Sequence, residues 1–290
     1  MKYTYFDRKT KTMIKEKAPK GAGFLYSGFF GKIILSLANK RFVSNIAGSY
    51  LNTKLSTRHI NKFIKSNKIN MDEYQDWRYD SFNEFFIRRV NMNYRPFDDN
   101  PKTLISPCDS KVLHYKIKEN NEFEVKGKTY TLKELLKDKY IQNEYQNGDL
   151  LVFRLSVDDY HRFHHIDDGK IILNKKINGL FHTVGPVALK KYKVYSENQR
   201  EYSIIDYDNF GNVIYMEVGA LMVGKIVNLN KNVFKRMDEK GYFKFGGSTV
   251  ILIFKSGVIE LDSDILENSK NGLETRVKLG ESIGRCIKWS

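Results

Sequence analysis

The pattern of apolar and polar positions changes once along this chain. From about residue 20 to residue 90, apolar side chains recur at helical spacing, as Ile60 and Phe63 do. Ser81 precedes an apolar run and Glu84 follows three residues later, which is typical of a helix N-cap. This part of the sequence therefore predicts helices.

After Arg95 and Pro96 the pattern becomes that of strands. Short runs rich in β-branched and aromatic residues alternate with Gly, Asn and Asp turns. The pattern predicts an α+β protein, with a helical region over residues 1–95 and a β-rich, sandwich-like or barrel-like domain over residues 96–290. The predicted strands lie in KVLHYKI, LLVFRLSV, KIILNKKI, NVIYMEV, TVILIF and GVIEL.

The segment from Gly23 to Phe42 combines large apolar side chains with positive charge. Phe29 and Phe30 lie within it, and Lys32 is one of its cations. Such a helix suits a membrane interface with anionic headgroups, and it is equally compatible with a buried helix in a protein core. No apolar run approaches the roughly 18 residues that a spanning helix needs, so no transmembrane helix is predicted.

The chain of 290 residues carries a formal net charge of +15. Such a charge attracts acidic phospholipid headgroups or nucleic acid, although lysines spread along a solvated surface in a biased genome would give the same total. The absence of an arginine-rich tract or an aromatic RNA-binding motif argues against nucleic acid. Cys108 and Cys286 form no CxxC pair, so no disulfide framework is expected. This cysteine usage predicts a cytosolic location, and no signal peptide is expected because the amino-terminal residues lack its apolar core.

Three of the six histidines lie in YHRFHH, directly after an apolar run. In a continuing strand His161 and His165 would share one face and His164 the other, whereas a helical turn would bring all three together. Zinc could use such spacing with Asp109, but no HExxH sequence or cysteine ligand supports it, so no metal site is predicted. Asp109, His164 and Ser248 supply the carboxylate, base and nucleophile of a triad, which makes a serine hydrolase the first hypothesis.

Ser248 follows two glycines and begins a strand-like run. Glycine is favoured where φ must be positive or where another group approaches the backbone closely. The serine is outside any GxSxG nucleophile elbow, and Gly247 has no side chain to block attack of the hydroxyl on the Gly247 carbonyl carbon. A plain Gly-Gly-Ser turn would leave the same pattern, so both interpretations remain open.

Three spaced segments resemble those of the pyruvoyl-dependent phosphatidylserine decarboxylases, in particular members with GGST where others have LGST. The resemblance implies that residues 96–290 are the catalytic domain and that residues 1–95 associate with the membrane. The segments are RLSVDDYHRFH, VGALMVGKI and KGYFKFGGST, and YDSFNEFFIRRV with the following YRPF matches the family's segment ahead of the catalytic domain.

The resemblance also implies self-cleavage between Gly247 and Ser248 by a triad of Asp109, His164 and Ser248. His164 would take the hydroxyl proton of Ser248 while Asp109 orients the imidazole, and attack on the Gly247 carbonyl would convert the amide into an ester. β-Elimination would release Gly247 as a new carboxyl terminus and leave dehydroalanine, which hydrolyses to a pyruvoyl group and ammonia. The zymogen would yield a heterodimer of a large chain, residues 1–247, and a small chain, residues 248–290.

The implied cofactor is the pyruvoyl group derived from Ser248. It would form a Schiff base with the amine of phosphatidylserine and accept the electrons left when carbon dioxide departs. His161 is the candidate donor of the proton that completes phosphatidylethanolamine. This lyase of phospholipid biosynthesis would be peripheral on the cytoplasmic face of the cell membrane. No nucleic-acid partner is expected, and a higher oligomer is compatible with the prediction. The alternatives are a serine hydrolase with an intact chain and a basic membrane-surface binding protein.

Overall fold

The computed structural model describes residues 3–16, 48–75, 78–220, 225–229, 231–244, 246 and 248–287. The α-helices that lie wholly inside these ranges are Ile60–Asn67 (α1), Phe82–Phe86 (α2), Leu132–Leu136 (α3), Pro186–Leu189 (α4), Val194–Glu197 (α5) and Ser263–Lys270 (α6). The strands are Tyr3–Asp7 (β1), Thr12–Glu16 (β2), Thr103–Ile105 (β3), Ser110–Lys116 (β4), Glu122–Val125 (β5), Lys128–Thr131 (β6), Asp149–Leu155 (β7), Arg162–His164 (β8), Gly169–Ile177 (β9), Arg200–Tyr207 (β10), Gly211–Val218 (β11), Ile226–Asn228 (β12), Val233–Phe234 (β13), Glu239–Phe243 (β14), Ser248–Phe254 (β15), Ile259–Leu261 (β16), Glu274–Val277 (β17) and Ser282–Cys286 (β18).

A ten-stranded sheet is the largest element of the described fold, in the order β13-β9-β10-β11-β15-β7-β4-β17-β1-β2. Its neighbouring strands are antiparallel except β1 and β17, which are parallel. β7 and β15 are neighbours near the middle of the sheet and are buried along all seven of their residues. Apolar residues occupy successive positions in both strands because both faces are covered.

Three smaller sheets complete the strand pairing of the described residues. Their orders are β12-β14-β8, β16-β18-β3 and β5-β6. β8 carries the histidine segment, and β14, its partner, ends at Phe243 shortly before Ser248. The backbone N–H of Phe243 also donates to the carbonyl oxygen of His161. The β8–β14 pair therefore brings the histidine segment close to the start of β15.

The structure confirms an α+β protein with a β-rich domain. The six strand-like runs of the sequence lie in β4, β7, β9, β11, β15 and β16. The predicted N-cap is also present, because the Ser81 side chain accepts a hydrogen bond from the backbone N–H of Glu84 at the start of α2. The division into domains at residue 95 stays a prediction.

The first described residues differ from the predicted helical region. β1 and β2 form a hairpin, and β1 pairs with β17 in the large sheet. The segment YTYFD is rich in residues that favour strands, and the polar turn after it ends at Lys11 with φ of 53°. Tyr5 and Asp7 of β1 are buried, so this hairpin is part of the sheet.

The apolar and cationic segment Gly23–Phe42 lies outside the described residues. The helical, membrane-associating character predicted for it therefore stays a prediction. Within the ranges that the structure describes, no helix is long and apolar enough to cross a membrane.

Candidate active site

Ser248 is the first residue of β15, and its side chain is fully buried. Its strand pairs with β7 on one side, where Leu155 is the partner of Ser248, and with β11 on the other. Gly246 has φ of 139°, a backbone conformation that side chains disfavour, which accounts for a glycine at this position. Gly247 lies outside the described residues.

The Ser248 hydroxyl contacts His161. The distance from Ser248 Oγ to His161 Nδ1 is 3.3 Å, and His161 Nε2 lies 3.0 Å from the carbonyl oxygen of Ser156. A carbonyl oxygen can only accept, so Nε2 carries the ring proton and Nδ1 is left with a free lone pair. Nδ1 can therefore accept a proton from the Ser248 hydroxyl.

The surroundings of His161 keep the ring neutral. The residue is fully buried, and the Phe86 ring stacks on the imidazole at a centroid distance of 4.0 Å. Burial lowers the pKa of His161 to about 3, and the attraction of Asp159 opposes this shift without cancelling it. A neutral imidazole with a free lone pair on Nδ1 is the form that a general base requires.

His164 makes a different set of contacts. Its Nδ1 lies 2.8 Å from the carbonyl oxygen of Met237 and therefore carries the proton, while its Nε2 lies 3.4 Å from the Tyr160 hydroxyl. Burial lowers the pKa of His164, so this ring is neutral as well. His161 and His164 thus hold their protons on opposite nitrogens.

Asp109 is buried and paired with cations. Its carboxylate accepts from Arg95 Nε at 2.9 Å and Nη2 at 2.7 Å, from Lys278 Nζ at 2.9 Å, and from the backbone N–H of Leu279 at 2.9 Å. Burial alone would raise the pKa of Asp109, but Lys278 and Arg95 together hold it well below its usual range. Asp109 is therefore an ionised carboxylate with its oxygens occupied.

These contacts bring together one pair of the residues that the sequence nominated. Ser248 contacts His161, which the sequence analysis had placed in the later protonation step. Among the described residues, no hydrogen bond joins Asp109 to His164 or His164 to Ser248. The assignment of these three as the self-cleavage triad stays a prediction from the resemblance.

Sequence reasoning missed the residues that hold His161. Phe86 lies in the SFNEFFIRR segment, which indicated a helix and a family likeness but no contact with a histidine. Ser156 lies in the strand-like run LLVFRLSV and in the segment RLSVDDYHRFH, but neither indicated a contact with a histidine. A backbone carbonyl that accepts from an imidazole leaves no mark in side-chain spacing, so no sequence signal could have found it.

The described residues contain no group of three or more His, Cys, Asp or Glu side chains arranged to hold a metal ion. Asp109, the acid that a zinc site would have used, is engaged with Arg95 and Lys278.

Comparisons with known proteins give one consistent result. A family model described as phosphatidylserine decarboxylase matches residues 82–285. Phosphatidylserine decarboxylase proenzyme 2 of Clostridium acetobutylicum is 49% identical, covering 98% of this chain and 99% of that protein. The phosphatidylserine decarboxylase proenzymes of Clostridium botulinum strain Hall and Clostridium tetani are 45% and 43% identical, over 97% and 98% of this chain and 98% and 99% of their own lengths. The chain therefore belongs to the phosphatidylserine decarboxylase family.

Proposed function

We propose that this chain is the proenzyme of a phosphatidylserine decarboxylase, which cuts itself before Ser248 and then converts phosphatidylserine into phosphatidylethanolamine and carbon dioxide. Family membership and the names of its relatives support the activity. The observation that carries the self-cleavage is the contact between Ser248 Oγ and the unprotonated Nδ1 of His161, in a segment where Gly247 precedes the serine.

His161 is the base that these contacts favour for the first step. It accepts the hydroxyl proton as Ser248 Oγ forms a bond to the carbonyl carbon of Gly247. The proton then passes to the backbone nitrogen of Ser248 as the carbon–nitrogen bond breaks, so the ring is neutral again. The proton stays on the ring only transiently, because burial disfavours the imidazolium and keeps the pKa of His161 low.

The triad of Asp109, His164 and Ser248 remains the second assignment for this step. His164 is neutral, and its Nε2 lone pair is free to accept a proton. To act on Ser248, however, His164 would have to exchange the Tyr160 hydroxyl for the Ser248 hydroxyl. Asp109 would likewise have to give up part of its pairing with Arg95 and Lys278 in order to reach the imidazole. Fewer contacts must change when His161 acts, which is why we assign the step to it.

The position of Ser248 in the sheet suits a residue that becomes a new chain end. β15 is held by β7 and β11, both of which belong to the large chain. β17 likewise lies between β4 and β1 of the large chain, and β18 pairs on one side with β3 of the large chain. Separation of the two chains would expose fully buried strands and break their backbone hydrogen bonds, so we propose that the cleaved chains stay together as a heterodimer.

A pyruvoyl group at position 248 fits this site. The position is buried, the imidazole of His161 lies beside the side-chain atom, and the following strand anchors the backbone on both sides. A pyruvoyl group supplies an electrophilic carbonyl that withdraws electrons from the substrate's α-carbon. His161 lies beside this position, so it remains our candidate for the donor of the proton that completes phosphatidylethanolamine during turnover.

We further propose that the enzyme is peripheral on the cytoplasmic face of the cell membrane and docks through the segment Gly23–Phe42. The support is its sequence, since apolar side chains and cations together suit an interface with anionic lipid. Replacement of both Phe29 and Phe30 by Ser should move the protein from the membrane fraction to the supernatant. Unchanged partitioning would contradict this proposal.

The activity is tested with the purified full chain and vesicles that contain phosphatidylserine. We expect release of carbon dioxide and formation of phosphatidylethanolamine, and neither product with Ser248→Ala. Labelling of an uncut chain by a fluorophosphonate, without carbon dioxide, would identify a serine hydrolase instead. Vesicle binding that is equal for the wild type and Ser248→Ala, again without carbon dioxide, would identify a membrane-binding protein.

A further inference from the structure

We propose that the amino-terminal hairpin, formed by β1 and β2, binds the small chain and retains it on the large chain after self-cleavage. The inference rests on the proposed function, because only a cut before Ser248 turns residues 248–290 into a separate molecule. The partner of this surface is then the enzyme's own small chain, which the hairpin contacts through charged side chains and through strand pairing.

Arg8 directly follows β1 in the hairpin, and its five N–H groups all donate to residues beyond the proposed cut. Nε and Nη2 donate to the two carboxylate oxygens of Asp264 at 2.8 and 3.1 Å, and Nη2 also donates to Asp262 Oδ2 at 2.7 Å. Nη1 donates to Glu281 Oε1 at 3.2 Å and to the carbonyl oxygen of Ser282 at 2.7 Å. A guanidinium has five donors and no acceptor. The whole hydrogen-bonding capacity of Arg8 is therefore used on the small chain.

The amino terminus of α6 is the part of the small chain that receives Arg8. Asp262 is the N-cap residue of α6, but its side chain makes no capping hydrogen bond. An N-cap aspartate ordinarily accepts from a backbone N–H of the first helical turn, whereas this carboxylate accepts from Arg8. Among the described residues, Arg8 is the only cation that pairs with Asp262 or Asp264. The hairpin thus supplies the partner of this anionic site.

β1 is one of the two strand neighbours of β17. Tyr5, Phe6 and Asp7 pair in parallel with the first three residues of β17, and β4 makes three residue pairs along the other edge. Thr275, in the middle of this ladder, is fully buried. Without β1, β17 would be an edge strand with unpaired backbone groups. Half of the strand pairing of β17 therefore comes from the hairpin.

Two further ion pairs accompany this ladder. Asp7 is directly opposite Arg276 of β17, and Arg276 Nη1 lies 3.3 Å from Asp7 Oδ2. Opposite charges at directly opposed positions stabilise strand pairing. At the other end of the hairpin, Arg154 of β7 lies between two carboxylates, with Nη2 2.7 Å from Glu16 Oε2 and Nε 3.0 Å from Glu274 Oε1. The hairpin is therefore joined to β17 directly through Asp7 and indirectly through Arg154.

Self-cleavage changes the role of these contacts. In the uncut chain, residues 262–282 are tethered covalently to the rest of the protein, so the contacts contribute only to the stability of one folded chain. After the cut, the same contacts join two molecules and lower the dissociation constant of the small chain. The small chain carries the group derived from Ser248, so its release would end the activity.

The test follows release of the small chain from the cleaved enzyme at a fixed urea concentration, by size exclusion over time. Arg8→Ala removes charge-assisted hydrogen bonds to the small chain, so we expect release to become about 10-fold faster. Arg285→Ala is the matched control, because Arg285 pairs with Glu260 of the same small chain at an exposed site, and it should stay within about two-fold of the wild type. Asp264→Ala should also speed release, but much less in the presence of Arg8→Ala, since both changes remove the same contact.

Hydrogen exchange in uncut Ser248→Ala gives a readout that does not depend on cleavage. Adding Arg8→Ala should speed exchange of the backbone amides of β17 and leave those of β15 unchanged, because β7 and β11 hold β15. Release from Arg8→Ala at the wild-type rate, equal acceleration by Arg285→Ala, or unchanged exchange in β17 would each overturn the inference. A wild-type chain that stays uncut would instead refute the proposed function, and exchange in β17 would still decide whether the hairpin holds this strand.

Discussion

His161 and His164 lie three residues apart in one segment, and both rings are buried and neutral. Their partners differ. His161 donates from Nε2 to Ser156 and turns Nδ1 toward Ser248, whereas His164 donates from Nδ1 to Met237 and turns Nε2 toward Tyr160. The backbone carbonyl that each ring meets decides which nitrogen is free. Two histidines of the same motif thereby present their lone pairs to different hydroxyl groups.

The largest expected effect separates the two histidines directly. Glutamine can still donate a hydrogen bond but cannot act as a base, so His161→Gln should lower the self-cleavage rate by about 10²- to 10⁴-fold. His164→Gln should lower it far less, because His164 does not contact Ser248 in this arrangement. The rates are measured from the appearance of the two fragments over time. The reverse order of the two variants would favour the triad through His164.

Substitution of Asp109 tests whether this carboxylate stabilises the fold or orients the imidazole of His164. Asp109→Asn would remove one of the two carboxylates that pair with buried Arg95, the other being Glu73, and should lower the free energy of unfolding by about 1.5–3 kcal/mol. Urea denaturation is the measurement, with Ser248→Ala as the background so that all chains are uncut. An Asn variant of unchanged stability that no longer cleaves would show that Asp109 serves the imidazole rather than the fold.

The pH dependence of stability should be similar for the two histidines. Each has a folded pKa below its unfolded value of 6.5, so the unfolded chain binds more protons and stability falls as the pH drops below that value. For His161 this loss extends down to a pH of about 3. Relative to Ser248→Ala alone, addition of His161→Gln should flatten the decline between these limits. An unchanged slope would contradict the burial of a neutral ring.

The smallest effect is expected at Tyr160. Tyr160→Phe removes a hydroxyl that lies 3.4 Å from His164 Nε2, at the long end for a hydrogen bond. The free energy of unfolding should fall by at most about 1 kcal/mol, and the self-cleavage rate should stay near that of the wild type. Denaturation and fragment analysis on the same preparation measure both. A large loss of cleavage would place Tyr160 and His164 in the first step.

The sequence predicted those helices and strands that depend on the local pattern of apolar and polar residues. The continuous apolar run of β15 and the Ser81 cap of α2 lie where the pattern placed them, because burial on both faces and capping are local properties. The sequence also predicted a backbone conformation before Ser248 that favours glycine, and Gly246 has a φ of 139°.

What the sequence did not predict depends on long-range contacts. YHRFHH allows several arrangements of its histidines, and the choice of His161 as the partner of Ser248 depends on the pairing of β8 with β14. The hairpin of residues 3–16 was missed because its strands are short and β2 is mostly exposed, and because the pairing of β1 with β17 joins opposite ends of the chain. No short window of sequence contains such a contact.

The central claim is that the bond before Ser248 breaks and that Ser248 becomes the reactive group. Intact-mass measurement of the purified wild-type protein tests it most directly, with Ser248→Ala as the control. We predict two species from the wild type, residues 1–247 and a fragment that begins at position 248 with a ketone-bearing, blocked amino end, and one uncut species from the control. A wild-type protein that consists only of the uncut chain of 290 residues would contradict the claim.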